Sequence, residues 1–157
     1  YLKPNFSNPS SNRYHQVWEY MFVFSKGIPK TFNPIMDREN KYAGNKGSWG
    51  TNTVRQTDGN KKTRPRKVIN SYGMRHNVWL MNTSGQERPC KEQKHPATFP
   101  DSLARDHIIS WTNEGDLVLD PLCGSGTTCR MAKELNRKYI CIDCSEEYCN
   151  LTRELLE

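Results

Sequence analysis

The run "LVLDPLCGSGTTCRMA", Leu117–Ala132, constrains the fold more than any other stretch of the 157 residues. Leu117–Leu119 is short, apolar and bounded by turn residues, so it reads as a buried strand. Asp120 and Pro121 end it, and Gly124 and Gly126 let the backbone turn tightly and approach a ligand closely. Thr127–Leu135 then places Thr128, Met131, Ala132 and Leu135 on one helical face. Tyr139–Ile142 reads as a second strand, followed by Asp143. Ser145 caps a last helix whose acids Glu146 and Glu147 suit its positive end, with Tyr148, Thr152 and Leu155 on one face. Upstream, Thr98 with Asp101 makes a capping-box-like start with Pro100 in the first turn. Leu103, Ala104, His107, Ile108 and Trp111 follow at helical spacing, and Asn113–Asp116 is a turn. The order strand, loop, helix, strand, helix opens a parallel sheet. The fold class is therefore α/β: a Rossmann-like, doubly wound, mostly parallel sheet, here incomplete.

A glycine loop between strand and helix suits a nucleotide-like ligand, and Asp143, 19 residues after Gly124, is placed to accept both hydroxyls of a ribose. A phosphate-cradling G-x-x-x-x-G-K-[ST] loop needs a lysine, and none follows Gly126. A dinucleotide loop wants a third glycine where Cys129 stands, and Asp120 at its mouth would repel a pyrophosphate. S-adenosylmethionine carries a positive sulfonium and no phosphate. Charge, rather than the glycines, selects it.

The rest of the chain differs in character. Residues 1–94 hold 17 Lys and Arg against 6 Asp and Glu, and residues 95–157 hold 6 against 11. A front half at +11 points to a polyanion, nucleic acid first, with a solvated lysine-rich surface as the alternative. Tyr20–Phe24 and Asn77–Met81 read as strands, Ser84–Lys94 as a polar connector, and residues 25–76 show no sustained periodicity. Low apolar content, 34%, and a mean hydropathy of −0.88 are meagre for a self-contained α/β core. No apolar run reaches the length of a membrane span and none resembles a signal peptide. Five of the six cysteines fall within the last 35 residues, in apparent strands and helices. A disulfide framework is not expected, and a reducing cytoplasm fits.

Four segments resemble the amino DNA methyltransferases. "DPLCGSGTT" (Asp120–Thr128) is similar to their cofactor loop, with Leu122 where Phe is usual. "KHPATFPDSLARDHIISWTNEGD" resembles their HP-x-x-FP element and the helix after it. "RKYICIDCSEEYCNLTRELL" resembles the segment with the acidic ribose ligand, and "WEYMFVFSKG" a strand late in the catalytic half. The order resembles the permuted β arrangement. The resemblance implies S-adenosylmethionine bound by His95, Pro96, Ala97, Thr98, Phe99, Asp120, Pro121, Gly124, Ser125, Gly126, Thr127, Thr128 and Asp143. It implies three regions: the end of the catalytic half at 1–28, target recognition at 29–76, and the cofactor half at 77–157. In the middle region Lys61, Lys62, Arg64, Arg66 and Lys67 would hold phosphates of double-stranded DNA, and Trp49, Arg55 or Gln56 could reach bases.

The family's chemistry also needs [D/N/S]-P-P-[Y/F/W], which draws the lone pair of the flipped base's amine toward sp³ character. The chain has nine prolines and no two are adjacent. In the β order the motif belongs ahead of Trp18, so no catalytic residue is assigned. The expectation is an incomplete enzyme, inactive alone, that works with a missing N-terminal half or a homodimer partner. Adenine and cytosine stay equally open as target. The rivals are a non-catalytic DNA-binding or specificity protein that keeps the fold, a methyltransferase acting on another substrate, and a zinc module built on Cys141-x-x-Cys144. No second C-x-x-C exists to complete such a site, so no metal is expected.

Overall fold

The computed structural model describes residue 2 and residues 17–46, 53–63, 67–81 and 99–157. The chain divides into two compact units, Pro34–His76 and, separately, Tyr1–Asn33 with Asn77–Glu157.

Within Pro34–His76, β1 (Arg38–Glu39) and β4 (Tyr72–Gly73) pair antiparallel, as do β2 (Thr53–Arg55) and β3 (Lys61–Thr63). Hydrogen bonds carry the first pairing onward: Asn40 N–H donates to Ser71 O at 2.9 Å and Gly44 N–H to Ile69 O at 2.9 Å. Strands of two or three exposed residues are too short to print an alternation, which is why this region shows no period in sequence.

The second unit holds α1 (Asp101–Trp111), β5 (Leu117–Asp120), α2 (Thr127–Glu134), β6 (Lys138–Cys141) and α3 (Glu146–Leu156). β5 and β6 are parallel, Leu117 opposite Lys138 through Asp120 opposite Cys141, and α2 makes the crossover. The α/β class stands on this unit. One face of the two strands, through Val118 and Tyr139, packs on Ala104 and Ile108 of α1 and on Met131 and Ala132 of α2. The other face leaves Leu117, Leu119, Ile140 and Ile142 exposed.

Capping chemistry sets the helix ends. The α2 terminus is closed by Asn136 at φ 59°, with Arg137 N–H donating to Ala132 O and Asn136 N–H to Lys133 O. Those two bonds make a Schellman stop, and Asn is one of the residues that tolerates the left-handed position. Ser145 caps α3 by accepting from Tyr148 N–H. At α1 the structure differs from the capping box read in sequence. The helix starts at Asp101, and Pro100, extended at ψ 143°, is its N-cap with no side-chain bond. Asp101 instead meets Arg130, which also reaches Glu134, so its charge ties the start of α1 to α2.

Two expected strands are absent as strands. Tyr20–Phe24 is extended, with Trp18, Tyr20, Phe22 and Phe24 in contact along one side, ring centroids 4.2, 5.8 and 6.2 Å apart. Among the described residues, Asn77–Met81 makes only the Leu80–Leu2 bridge. The residue types favour β structure, but no neighbouring strand among the described residues pairs with either segment. Among the described residues, no helix is long and apolar enough to cross a membrane.

Candidate functional site

The glycine loop sits at the carboxyl ends of the two parallel strands, the usual ligand position in such sheets. Ile142 N–H donates to Asp120 O at 2.9 Å and Cys123 N–H to Ile142 O at 2.9 Å, so the loop leaves β5 alongside the end of β6. Gly124 (φ 50°) and Gly126 (φ 81°) occupy backbone conformations that side chains disfavour. Asp143 closes the loop from the other strand. Its Oδ2 accepts from Gly124 N–H at 2.8 Å and its Oδ1 from Ser145 N–H at 2.9 Å. These two backbone donors, Ser145 first, hold the Asp143 carboxyl below the usual carboxylate range. Asp120 Oδ1 accepts from Leu122 N–H at 3.1 Å. Two carboxylates therefore flank a loop whose residues 120–128 include no cation.

The structure brings Asp120, Gly124, Ser125, Gly126, Thr127 and Asp143 to this one end of the sheet, with Thr127 the first residue of α2 and Pro121 exposed. Phe99 and Thr128 instead line an apolar cavity of about 450 Å³ with Leu103, His107, Ile108 and Val118. Burial pushes His107 down from the usual histidine value, against the charge of Asp106, and its buried Nε2 has no partner among the described residues. His95, Pro96, Ala97 and Thr98 lie outside the described residues. Leu122, which stands where the resemblance has Phe, is 81% exposed.

The basic candidates lie in the other unit. Arg55 on β2 is directly opposite Lys61 on β3, and Lys62 is opposite Val54, all exposed. Asp58 shapes the turn between them, accepting from Asn60 N–H at 2.9 Å. Like charges directly opposite on a hairpin are destabilising, so this pair costs the free protein. Lys67 is exposed as well, while Trp49, Arg64 and Arg66 lie outside the described residues.

The model of the N6/N4 methyltransferase family, described as DNA methylase, matches residues 1–154. The chain belongs to this DNA methylase family. The orphan methyltransferase M.BamHII of Bacillus amyloliquefaciens is 46% identical across all of this chain, which spans 60% of that relative's length. The type II methyltransferase M.HpaI of Haemophilus parainfluenzae is 44% identical over 95 residues, 59% of this chain and 29% of its own. Among solved structures, the M1.HpyAVI–SAM complex aligns at 36% identity and a TM-score of 0.39, covering 40% of this chain and 33% of that one.

In the sequence Thr152 reads only as a helix-face residue, and its contact with the glycine loop is not visible there. It is 4% exposed on α3, donates from Oγ1 to Gly124 O at 3.1 Å, and stands where a side chain on Gly126 would go. A threonine on the buried face of a helix was the only hint in sequence. The cysteines also need correcting. The Cys129 and Cys141 sulfurs are in bonding contact across the α2–β6 packing, with Cα atoms 6.4 Å apart, within the span a disulfide bridges. Helical and strand spacing alone do not reveal that the two positions face each other. Cys123, Cys144 and Cys149 are free, and Cys90 lies outside the described residues. Among the described residues, no three His, Cys, Asp or Glu come together as a metal site.

Proposed function

We propose that this chain is the cofactor-binding and DNA-contacting portion of a DNA amino-methyltransferase. The enzyme moves a methyl group from S-adenosylmethionine to the exocyclic amine of adenine (N6) or cytosine (N4), in a cytoplasmic restriction-modification or phage setting. The observation that carries the reading is the grip of Asp143 on Gly124 at the ends of β5 and β6, with Asp120 at the mouth. Each Asp143 oxygen takes one backbone N–H and keeps a lone pair for a ribose hydroxyl. The acidic, cation-free loop fits a sulfonium and opposes a pyrophosphate. When bound, S-adenosylmethionine supplies an electrophilic methyl group. The chain's residues hold and orient it: Ser125 and Thr127 through the backbone, Gly124 and Gly126 by the close approach that a missing side chain allows, Asp143 at the ribose, and Asp120 as a negative charge near the sulfonium. His95–Thr98 would close over it, while Phe99 and Thr128 line the apolar cavity against α1.

The unit Pro34–His76 is the target-recognition region under this reading, with Arg55, Lys61, Lys62 and Lys67 on the phosphates of double-stranded DNA. The adjacent-proline motif is absent, so the chain alone transfers no methyl group. A further polypeptide segment carrying that motif covers the exposed face of Leu117, Leu119, Ile140 and Ile142. Parallel sheets are stable with both faces covered.

Calorimetry with S-adenosylmethionine and with NAD is the direct test: uptake of the first and not the second is expected, and the reverse sinks the reading. Tritiated methyl transfer to mixed-sequence DNA by the chain alone should stay at background. Steeply salt-dependent DNA binding without any S-adenosylmethionine uptake would favour a non-catalytic DNA-binding protein, the second reading that the basic hairpin supports.

A further inference from the structure

The cofactor loop is held from a third side. Asp143 takes the N–H of Gly124 at 2.8 Å, and Thr152 on α3 takes its C=O at 3.1 Å, so both backbone polar groups of one glycine are fixed. The second bond does more than anchor. Gly124 C=O and Ser125 N–H belong to one planar trans peptide and point in opposite directions across it. Turning the carbonyl toward Thr152 turns the Ser125 N–H away from α3. That N–H has no hydrogen-bond partner among the described residues, although Ser125 is only 4% exposed. A buried residue with an unspent backbone donor is uncommon in folded proteins. Thr152 also holds its own position: its Cγ2 and Oγ1 lie where a Cβ on Gly126 would be, and it sits beside the buried Cys123 thiol.

We infer that Thr152 is a positioning residue for the cofactor loop, orienting the Gly124–Ser125 peptide so that Ser125 N–H is presented to an acceptor on the bound ligand. This rests on the loop being the S-adenosylmethionine site. The hydroxyl, not the bulk of the side chain, carries the effect, which separates Thr152→Val from Thr152→Ser.

Two measurements on the full chain test it. In the ligand-free protein, the Gly124 carbonyl carbon signal should move in Thr152→Val and stay near its wild-type position in Thr152→Ser. By calorimetry well below the unfolding transition, Thr152→Val should bind S-adenosylmethionine about three- to tenfold more weakly, one hydrogen bond's worth, and Thr152→Ser close to wild type. A merely structural role predicts lowered thermal stability with unchanged affinity. Equal weakening in both variants, an unmoved carbonyl signal, or wild-type affinity in Thr152→Val overturns the inference. If the wild-type chain takes up no S-adenosylmethionine while the carbonyl signal behaves as expected, the cofactor reading has failed and takes the ligand-facing half of the inference with it. The hold of Thr152 on Gly124 then stands alone.

Discussion

Gly126 is where the loop is least forgiving. Its φ of 81° lies in the left-handed region, and a Cβ built there would come 2.7 Å from Thr152 Cγ2 and 2.8 Å from its Oγ1. Gly126→Ala therefore meets two separate penalties. The backbone conformation costs an L-residue about 1–2 kcal/mol, and forcing a methyl into a filled space costs about 1–3 kcal/mol. Together they give about 2–5 kcal/mol, a large share of the roughly 5–15 kcal/mol that keeps a domain folded. The two parts separate in a cycle with Thr152→Ala, which removes both close atoms and leaves Thr152 Cβ at 3.1 Å, tight but tolerable. Thr152→Ala alone should cost about 0.5–1.5 kcal/mol for its hydrogen bond, plus the loss of packing. The double variant should recover about 1–3 kcal/mol relative to additivity, because the overlap vanishes while the backbone strain stays. Urea unfolding followed by circular dichroism measures each corner. With a slope of about 1–3 kcal/mol per molar urea, the Gly126→Ala midpoint should fall by about 1–2 M. Additive effects would refute the close approach of α3 to the loop. An Ala variant as stable as wild type would refute the left-handed backbone itself.

Three further outcomes concern the Asp143 carboxyl, the buried His107 and the basic hairpin. Asp143→Asn should weaken S-adenosylmethionine binding by about tenfold or more, because charge-assisted acceptors are the strong ones. Since the Asp143 carboxyl is held below its usual range, its contribution is complete above the ordinary carboxylate value and is lost as pH falls through the lowered one. An acid-unfolding curve unchanged in the variant would count against that. His107 has the mirrored sign for a base: burial depresses it, so the unfolded chain takes a proton first as pH falls below about 6.5, and stability drops. His107→Leu should flatten that part of the stability profile between pH 7 and 5, measured by urea midpoints, and a parallel profile would sink the point. Arg55→Ala and Lys61→Ala should each lower DNA affinity about equally for all sequences and reduce the log-affinity against log-salt slope by about 1. A loss confined to one DNA sequence would instead make the residue a base reader.

The stretch from β5 to α3 was legible because its signals are local. A cap at Ser145 and glycines on either side of Ser125 each act within a few residues, and β5, α2, β6 and α3 lie within one residue of where their patterns put them. What was not legible depends on contacts between distant residues. Thr152 and Gly124 are 28 positions apart, and only the packing of α3 across the loop joins them. The Cys129–Cys141 contact needs the crossover helix to lie on β6 at one particular rotation. Tyr20–Phe24 has the composition of a strand, yet strand formation is a property of pairs, and no partner stands beside it among the described residues. In Pro34–His76 the strands are so short that pairing is set by turns such as Asp58–Asn60 rather than by side-chain pattern.

The exposed face of the parallel pair carries the same lesson further. A strand covered on one side alternates apolar and polar residues, whereas one covered on both sides is apolar throughout. β5 reads Leu-Val-Leu and β6 with its extension reads Tyr-Ile-Cys-Ile, so both are written for cover on both sides. Yet Leu117, Leu119, Ile140 and Ile142 are between 46% and 58% exposed. At about 25 cal/mol per Å² of apolar area, leaving four such side chains half in water forgoes several kcal/mol. That deficit is of the size that decides whether a small domain folds firmly, and covering that face would remove it. Under the proposed function, the segment that covers this face carries the adjacent-proline motif, so one docking event would both stabilise this chain and supply the motif it lacks. Replacing Leu119 with lysine separates the two roles: S-adenosylmethionine binding by the chain alone should survive, while association with a motif-bearing segment, read by co-purification, should fail.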